Sequence, residues 1–348
     1  AKAKDVAFGV ATEFWGWYEN DEYSLLDGSF SNSGTINAFA QSDKYAVASG
    51  LSTDALVEDS TIINSGVISS NAVSKDVKKA FAYGLVGSEL VNSTITNSGT
   101  IEAKVNGKLN NQGFSLNYED TSGSTITNEK TGKLYGNIYL GDNGQFVNKG
   151  FVSLPYNANV LNTIQYLYDD GTPEDTRKGG VYISNLVNSG TIEIGAFKNS
   201  NSKIENTQIL TKNATFNAGS KLNVRVEAGS KAFVKGDKLE QVISATNSLT
   251  INELKVNSAT LEFEEVEVKP LTTNSNVKYI DLVVSKVNSF SEAGNTRGNA
   301  TIIAQTLDKL RTDPTFGSLV AKLDTLNAAD LNRALDTLTP TIAAAISN

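Results

Sequence analysis

Histidine, cysteine and methionine are missing from all 348 residues. Without histidine the chain cannot assemble a Ser-His-Asp or Cys-His site, and without cysteine it has neither a thiol nucleophile nor a zinc-thiolate cluster. Most familiar hydrolase chemistry is excluded. With no disulfide framework, stability has to come from packing and hydrogen-bond ladders. No apolar run reaches 18 residues, so no membrane-spanning helix is expected. Basic residues are outnumbered, 30 Lys and Arg against 38 Asp and Glu, for a net charge of -8. That balance disfavours a nucleic-acid or anionic-membrane partner, which needs phosphate neutralisation. The opening AKAKDVAFGV has no initiator Met and no signal-type apolar segment, and it reads as a processed or trimmed end.

What the chain does contain is repetition. NSGTI at 32–36 returns as NSGVI at 64–68, NSGTI at 97–101 and NSGTI at 188–192. Looser copies begin at Asn128, Asn148 and Asn217. A second element keeps the same beat: ASGL at 48–51 and AYGL at 82–85, with AFGV at 7–10 as an earlier, looser copy. Two short apolar strands per unit at near-constant offset mark a solenoid coil.

The letters of the unit suit a corner. In STIINSGVIS, residues 60–69, Ile62 and Ile63 lead into Asn-Ser-Gly, and Val67 and Ile68 resume an extended strand. Gly66 is free to take positive φ, and Asn64 can adopt the left-handed region or bond its own backbone. Stacked corners would join Asn32, Asn64, Asn97 and Asn188 in a side-chain ladder, with Gly34, Gly66, Gly99 and Gly190 at the turns. Ile36, Ile68, Ile101 and Ile192 would stack inside. These requirements favour a structural repeat over a repeated ligand site.

Spacer lengths vary, and YLYDDGTPEDTRKGG (166–180) is the clearest insertion. GDNG at 141–144 predicts a hairpin or a tight corner. In ATLEFEEVEV (259–268) the apolar parity changes, so a bulge or corner is expected near Glu264 and Glu265. After about Gly294, leucines at three- and four-residue intervals predict short amphipathic helices, with Asp313, Asn327 and Thr339 as capping residues. The division is an N-terminal cap (1–30), a solenoid with NSG coils and insertions (31–202), its more irregular end (203–293) and a helical segment (294–348).

A solenoid of NSGTI coils followed by LDKLRTDPTFGSLVAKLDTLNAADLNRALDTLTP resembles the passenger of a classical type V autotransporter of Gram-negative bacteria. The resemblance implies an all-β, right-handed parallel β-helix followed by a Leu-rich connector. It also implies export through an outer-membrane barrel, which is not seen after Pro340, and a cell-surface or secreted location. It further raises Asn348 as a cleavage end, released by attack of its own side-chain amide, beside the plainer reading of a trimmed terminus.

Three features compete for a functional role. Phe14, Trp15, Trp17 and Tyr18 either cap the open end of the core or dock a second subunit. Asp169, Asp170, Glu174 and Asp175 form a solvated acidic loop on one reading. On the other they supply oxygens to calcium, although the pattern matches neither an EF-hand nor the nonapeptide calcium repeat. The same carboxylates with Arg177 are the only route to a polysaccharide-acting enzyme, since some parallel β-helix proteins use Asp clusters this way. The C-terminal leucines either pack on the last coil, mediate association or occupy the barrel pore during export. The expectation is a non-enzymatic structural or adhesive surface protein without a resident cofactor. Its partners would be copies of itself or host or bacterial surface glycans.

Overall fold

The computed structural model describes the chain except residues 1, 4–5, 15, 19–20, 157–161, 168–172, 180, 272–273, 295, 297, 312–319, 321–322, 324–325, 327 and 339–348. The fold is a parallel β-solenoid with short helices near the C-terminus. Early coils carry three strands, one more than the repeat suggests, and from Asn137–Asn148 onward the third and first of these run together as one strand. In one coil these are Thr61–Asn64, Val67–Ser74 and Ala80–Val91, and in the next Thr94–Asn97, Thr100–Val105 and Gly113–Asp120. We call them the first, second and third faces.

The strands exist because side chains alternate across them with period two. Thr100–Val105 buries every second residue, and Thr94–Asn97 does the same. Stacking then aligns like with like. Inside the first face, Phe30, Ile62, Ile95, Ile126, Phe146 and Leu186 form one column. Inside the second, Ile36, Ile68, Ile101, Leu134, Val152 and Ile192 form another. These columns supply much of the main core, whose hydrophobic burial drives the stacking.

The third face obeys a different logic. Leu51 pairs with Leu85 and Ala48 with Ala82, so the ASGL and AYGL elements do stack. AFGV is displaced from them by two residues, because Ala7 faces Ala46 and Gly9 faces Ala48. A Cβ on Gly84 would lie 2.4 Å from the Ile101 Cγ2 methyl and 2.7 Å from the Ser115 carbonyl oxygen, which leaves that position room only for hydrogen. Alanines from the second and third faces make a small separate core at this end of the rod.

The two ends are unlike. At the C-terminal end, Lys238–Ile251 pairs antiparallel with Asn274–Val287, and Leu261–Phe263 and Lys269–Leu271 also run antiparallel to it. Parallel growth stops there. The expected correction in 259–268 is present: the pairing shifts between Glu262 and Phe263, and Glu264 and Glu265 leave the strand. Beyond it lie helices Phe290–Ala293, Asn299–Leu310 and Ala328–Leu338. Their leucines meet one another, with Leu331 and Leu335 buried against Phe290 and Ala304. Arg311 ties this bundle to the strands through the Asn288 carbonyl at 3.0 Å. The caps expected at Asp313, Asn327 and Thr339 lie outside the described residues, as does Asn348.

Candidate interaction surface

The Asn corners are joined in one column of side-chain amides. Asn32 Nδ2 donates to Asn64 Oδ1 at 2.8 Å, Asn64 to Asn97 at 2.8 Å and Asn97 to Asn128 at 2.8 Å. Asn128 then donates to Asn148 at 2.9 Å and Asn148 to Asn188 at 2.7 Å. Each amide except the first is essentially sealed from water. The ladder ends where Phe216, rather than Asn217, takes the inward position above Asn188. Asn217 is a turn residue whose amide N–H donates to the Asn188 carbonyl at 2.8 Å.

The corner glycines are needed for a reason other than the one the turn suggests. Gly34, Gly66, Gly99 and Gly190 do not adopt the left-handed backbone. A Cβ on Gly66 would instead lie 2.0 Å from the Gly34 carbonyl oxygen, and one on Gly190 would lie 2.3 Å from that of Gly150. The constraint is clearance between coils. Gly34, in the first coil, has no backbone neighbour so close; its nearest contact is Asn32 Oδ1 at 3.9 Å.

A second ladder lies at the opposite end of the same short strands. Ser60 Oγ accepts from the Gly28 N–H at 3.0 Å, Ser93 Oγ from Ser60 N–H at 3.0 Å and Ser124 Oγ from Ser93 N–H at 2.9 Å. Here the left-handed residues do occur, at Asp27, Asp59 and Asn92. Its signal is the repetition of STIIN at 60–64 and STITN at 93–97 and 124–128.

The two ladders border the first face, and its outward residues carry no charge. One row runs Ser29, Thr61, Thr94, Thr125, Gln145 and Asn185. Beside it run Ser31, Ile63, Thr96, Thr127, Val147 and Val187. Two further rungs extend the rows through Asn213 and Thr215 to Ser248 and Thr250. Neighbours are cross-linked, as where Thr94 donates to Thr61 at 3.2 Å and Asn213 to Asn185 at 2.8 Å. In a chain that is 20% charged, sixteen successive uncharged outward positions set this face apart.

The second face is the reverse. Glu102, Lys133, Glu193, Lys221 and Arg225 project from it, and Arg225 is its hub. The guanidinium donates to Ser153 Oγ at 2.8 Å, to the Leu154 carbonyl at 3.0 Å and to Glu227 at 2.7 Å, and it also engages Glu193. Burial opposes its charge, but Glu227 and Glu193 outweigh that and raise its pKa. Burial likewise raises the phenol of Tyr156, followed by the charges of Glu205 and Glu227, which keeps the hydroxyl protonated. Beside this hub is a cleft of about 650 Å³, walled by Val105, Lys108 and Asn110 on one side and Tyr156, Phe197 and Glu227 on the other.

The other residues singled out from sequence are only partly placed. Phe14 ends the strand Val6–Phe14, and Gly16–Tyr18, which holds Trp17 and Tyr18, pairs antiparallel with Asp21–Leu26. That strand in turn pairs with Tyr45–Glu58 of the first coil. Trp15 and the side chains of Phe14, Trp17 and Tyr18 lie outside what is described, as do Asp169 and Asp170. Glu174, Asp175 and Arg177 fall in Pro173–Gly179, which forms an antiparallel hairpin with Asn162–Leu167. The 166–180 segment is thus in part a hairpin. GDNG is a corner within the strand Asn137–Asn148, where Asn143 is left-handed and the pairing skips from Leu140 to Gln145. Among the described residues no three His, Cys, Asp or Glu side chains gather as a metal would require, and no helix is long and apolar enough to cross a membrane.

Comparison with family models, with curated proteins and with solved structures finds no match for this chain. The class is therefore defined by the fold itself: a parallel β-solenoid with a laddered core and closed C-terminal end.

Proposed function

We propose that this protein is a non-enzymatic structural or adhesive component of a cell surface or secreted layer, and that it acts by associating with copies of itself. The observation that carries this reading is the uncharged first face. An acidic chain repels its own copies, and this face is where two of them approach without having to pair or desolvate charges. Rows of Thr, Val and Ile interdigitate well when two sheets stack about 10 Å apart. Eight rungs spaced about 4.8 Å, each with four residues, give roughly 500 Å² per partner, or about 1,000 Å² in all. That reaches the lower bound for a specific interface. The order of parts, solenoid then Leu-rich helices, supports export as a type V passenger.

The test is sedimentation velocity with electron microscopy on purified protein. Association or ordered arrays are expected, and Thr96→Lys with Thr127→Lys should abolish them while leaving the melting temperature within a few degrees. A protein that stays monomeric at high concentration, or a double variant that associates as before, would overturn the reading.

A further inference from the structure

The second face is narrowed in the middle of the rod. Its strands Val67–Ser74 and Thr100–Val105 are long, Lys133–Tyr135 and Phe151–Ser153 have three residues each, and Thr191–Lys198 and Lys221–Val226 are long again. Two short rungs between longer ones leave a notch about 14 Å wide between the flanking strands. The notch is the cleft beside Arg225. Its volume of about 650 Å³ lies inside the range of small-molecule sites.

The lining has two characters. On the C-terminal wall the rings of Tyr156 and Phe197 stand 5.3 Å apart and tilted by 37°. Together they present a broad apolar surface edged by the Tyr156 hydroxyl. On the opposite wall Val105 and Leu109 alternate with Asn106, Lys108 and Asn110. Asn106 is committed to Ser74 through both amide atoms. Among the described residues, Lys108 and the amide nitrogen of Asn110 have no side-chain partner, although Asn110 Oδ1 accepts from Gln112 N–H. Arg225, held by Glu193, Glu227, Ser153 and Leu154, is already satisfied and keeps the floor rigid.

We infer that this cleft binds a pyranose unit of an oligosaccharide. A pyranose ring has an apolar C–H face and a polar rim. Tyr156 and Phe197 match the face, whereas Lys108, Asn110 and the Tyr156 hydroxyl match the rim. A lipid tail offers no acceptor to the amide and ammonium donors, at a cost for each donor it covers. The site is separate from the first face, so a failure of self-association leaves it standing, and the reverse holds.

Saturation-transfer NMR with cellotriose, chitotriose, maltotriose and trigalacturonate at millimolar concentration tests it, with the protein dilute enough to be monomeric. Transfer to at least one trisaccharide is expected. Tyr156→Ala with Phe197→Ala should weaken that binding roughly tenfold or more, as loss of a ring anchor does elsewhere. Phe197→Leu keeps apolar volume, guards against a folding artefact and should still weaken binding, whereas Tyr156→Phe should lose less than Tyr156→Ala. No transfer from any of the four sugars, or transfer unchanged in the double variant, would overturn the inference.

Discussion

The carbonyl oxygen of Gly66 occupies the space that a side chain on Gly99 would need, 2.0 Å from the ideal Cβ position. Because the obstacle is backbone of the coil below, it cannot swing aside. Gly99→Ala and Gly66→Ala should each destabilise the protein by about 3 kcal/mol or more, the upper end for overpacking. Gly34→Ala has room and should fall within about 0.5 kcal/mol of the parent. Chemical denaturation of the three variants gives the comparison.

The amide column makes a similar contrast between its middle and its end. Asn97 both accepts from Asn64 and donates to Asn128, so Asn97→Ala removes the ladder donor of Asn128 Oδ1 and leaves Asn64 Nδ2 only the longer bonds to the Thr100 and Gly66 carbonyls. A loss of about 2–4 kcal/mol is expected. Asn32 donates to Asn64 but receives nothing from another ladder amide, and Asn32→Ala should cost about half as much. Equal losses at both positions would mean that the column is not a connected chain.

Alkaline stability should depend on Tyr118. Its ring is fully buried and its hydroxyl lies 3.3 Å from Thr53 Oγ1. Burial pushes the phenol from 10.0 up to about 12, against a smaller opposing effect of the Thr53 hydrogen bond. Below pH 10 the phenol is neutral whether the chain is folded or not. Above it the unfolded chain ionises first, so stability falls as pH rises through the folded value, by about 3 kcal/mol at most. Tyr118→Phe should flatten this part of the stability curve, read by denaturant melts at successive pH values.

Association through the first face should be nearly indifferent to salt, because its sixteen outward positions carry no charge to screen. Sedimentation at low and high ionic strength should yield similar or slightly stronger association at high salt, where the repulsion between acidic chains is damped. Dissociation by salt would point to the charged second face instead.

Much of the rod is legible in the chain because stacking copies its demands from coil to coil. Asn64, Ser65 and Gly66 recur since each repeat meets the same neighbour, and the period of the corners gives the coil directly. The third face is harder to read, because AFAYGLV at 80–86 is apolar on both sides and lacks alternation. The Ser ladder was written in STIIN and STITN, but a serine before a strand has many other uses. The cleft leaves no trace in any motif. It arises because Lys133–Tyr135 and Phe151–Ser153 end early, and its walls come from residues more than a hundred positions apart, such as Val105 and Arg225.

The steps along the Asn column are uneven. Asn128 and Asn148 are 20 residues apart and Asn148 and Asn188 are 40, yet their side-chain bonds measure 2.9 Å and 2.7 Å. Chain length between corners is thus uncoupled from rung geometry, and the 162–179 hairpin fits into the longer step without disturbing the column. The scaffold behaves as a chassis in which a circuit may be lengthened or exchanged while its fasteners stay put. Grafting a foreign peptide in place of that hairpin is therefore a practical route to display on a stiff rod.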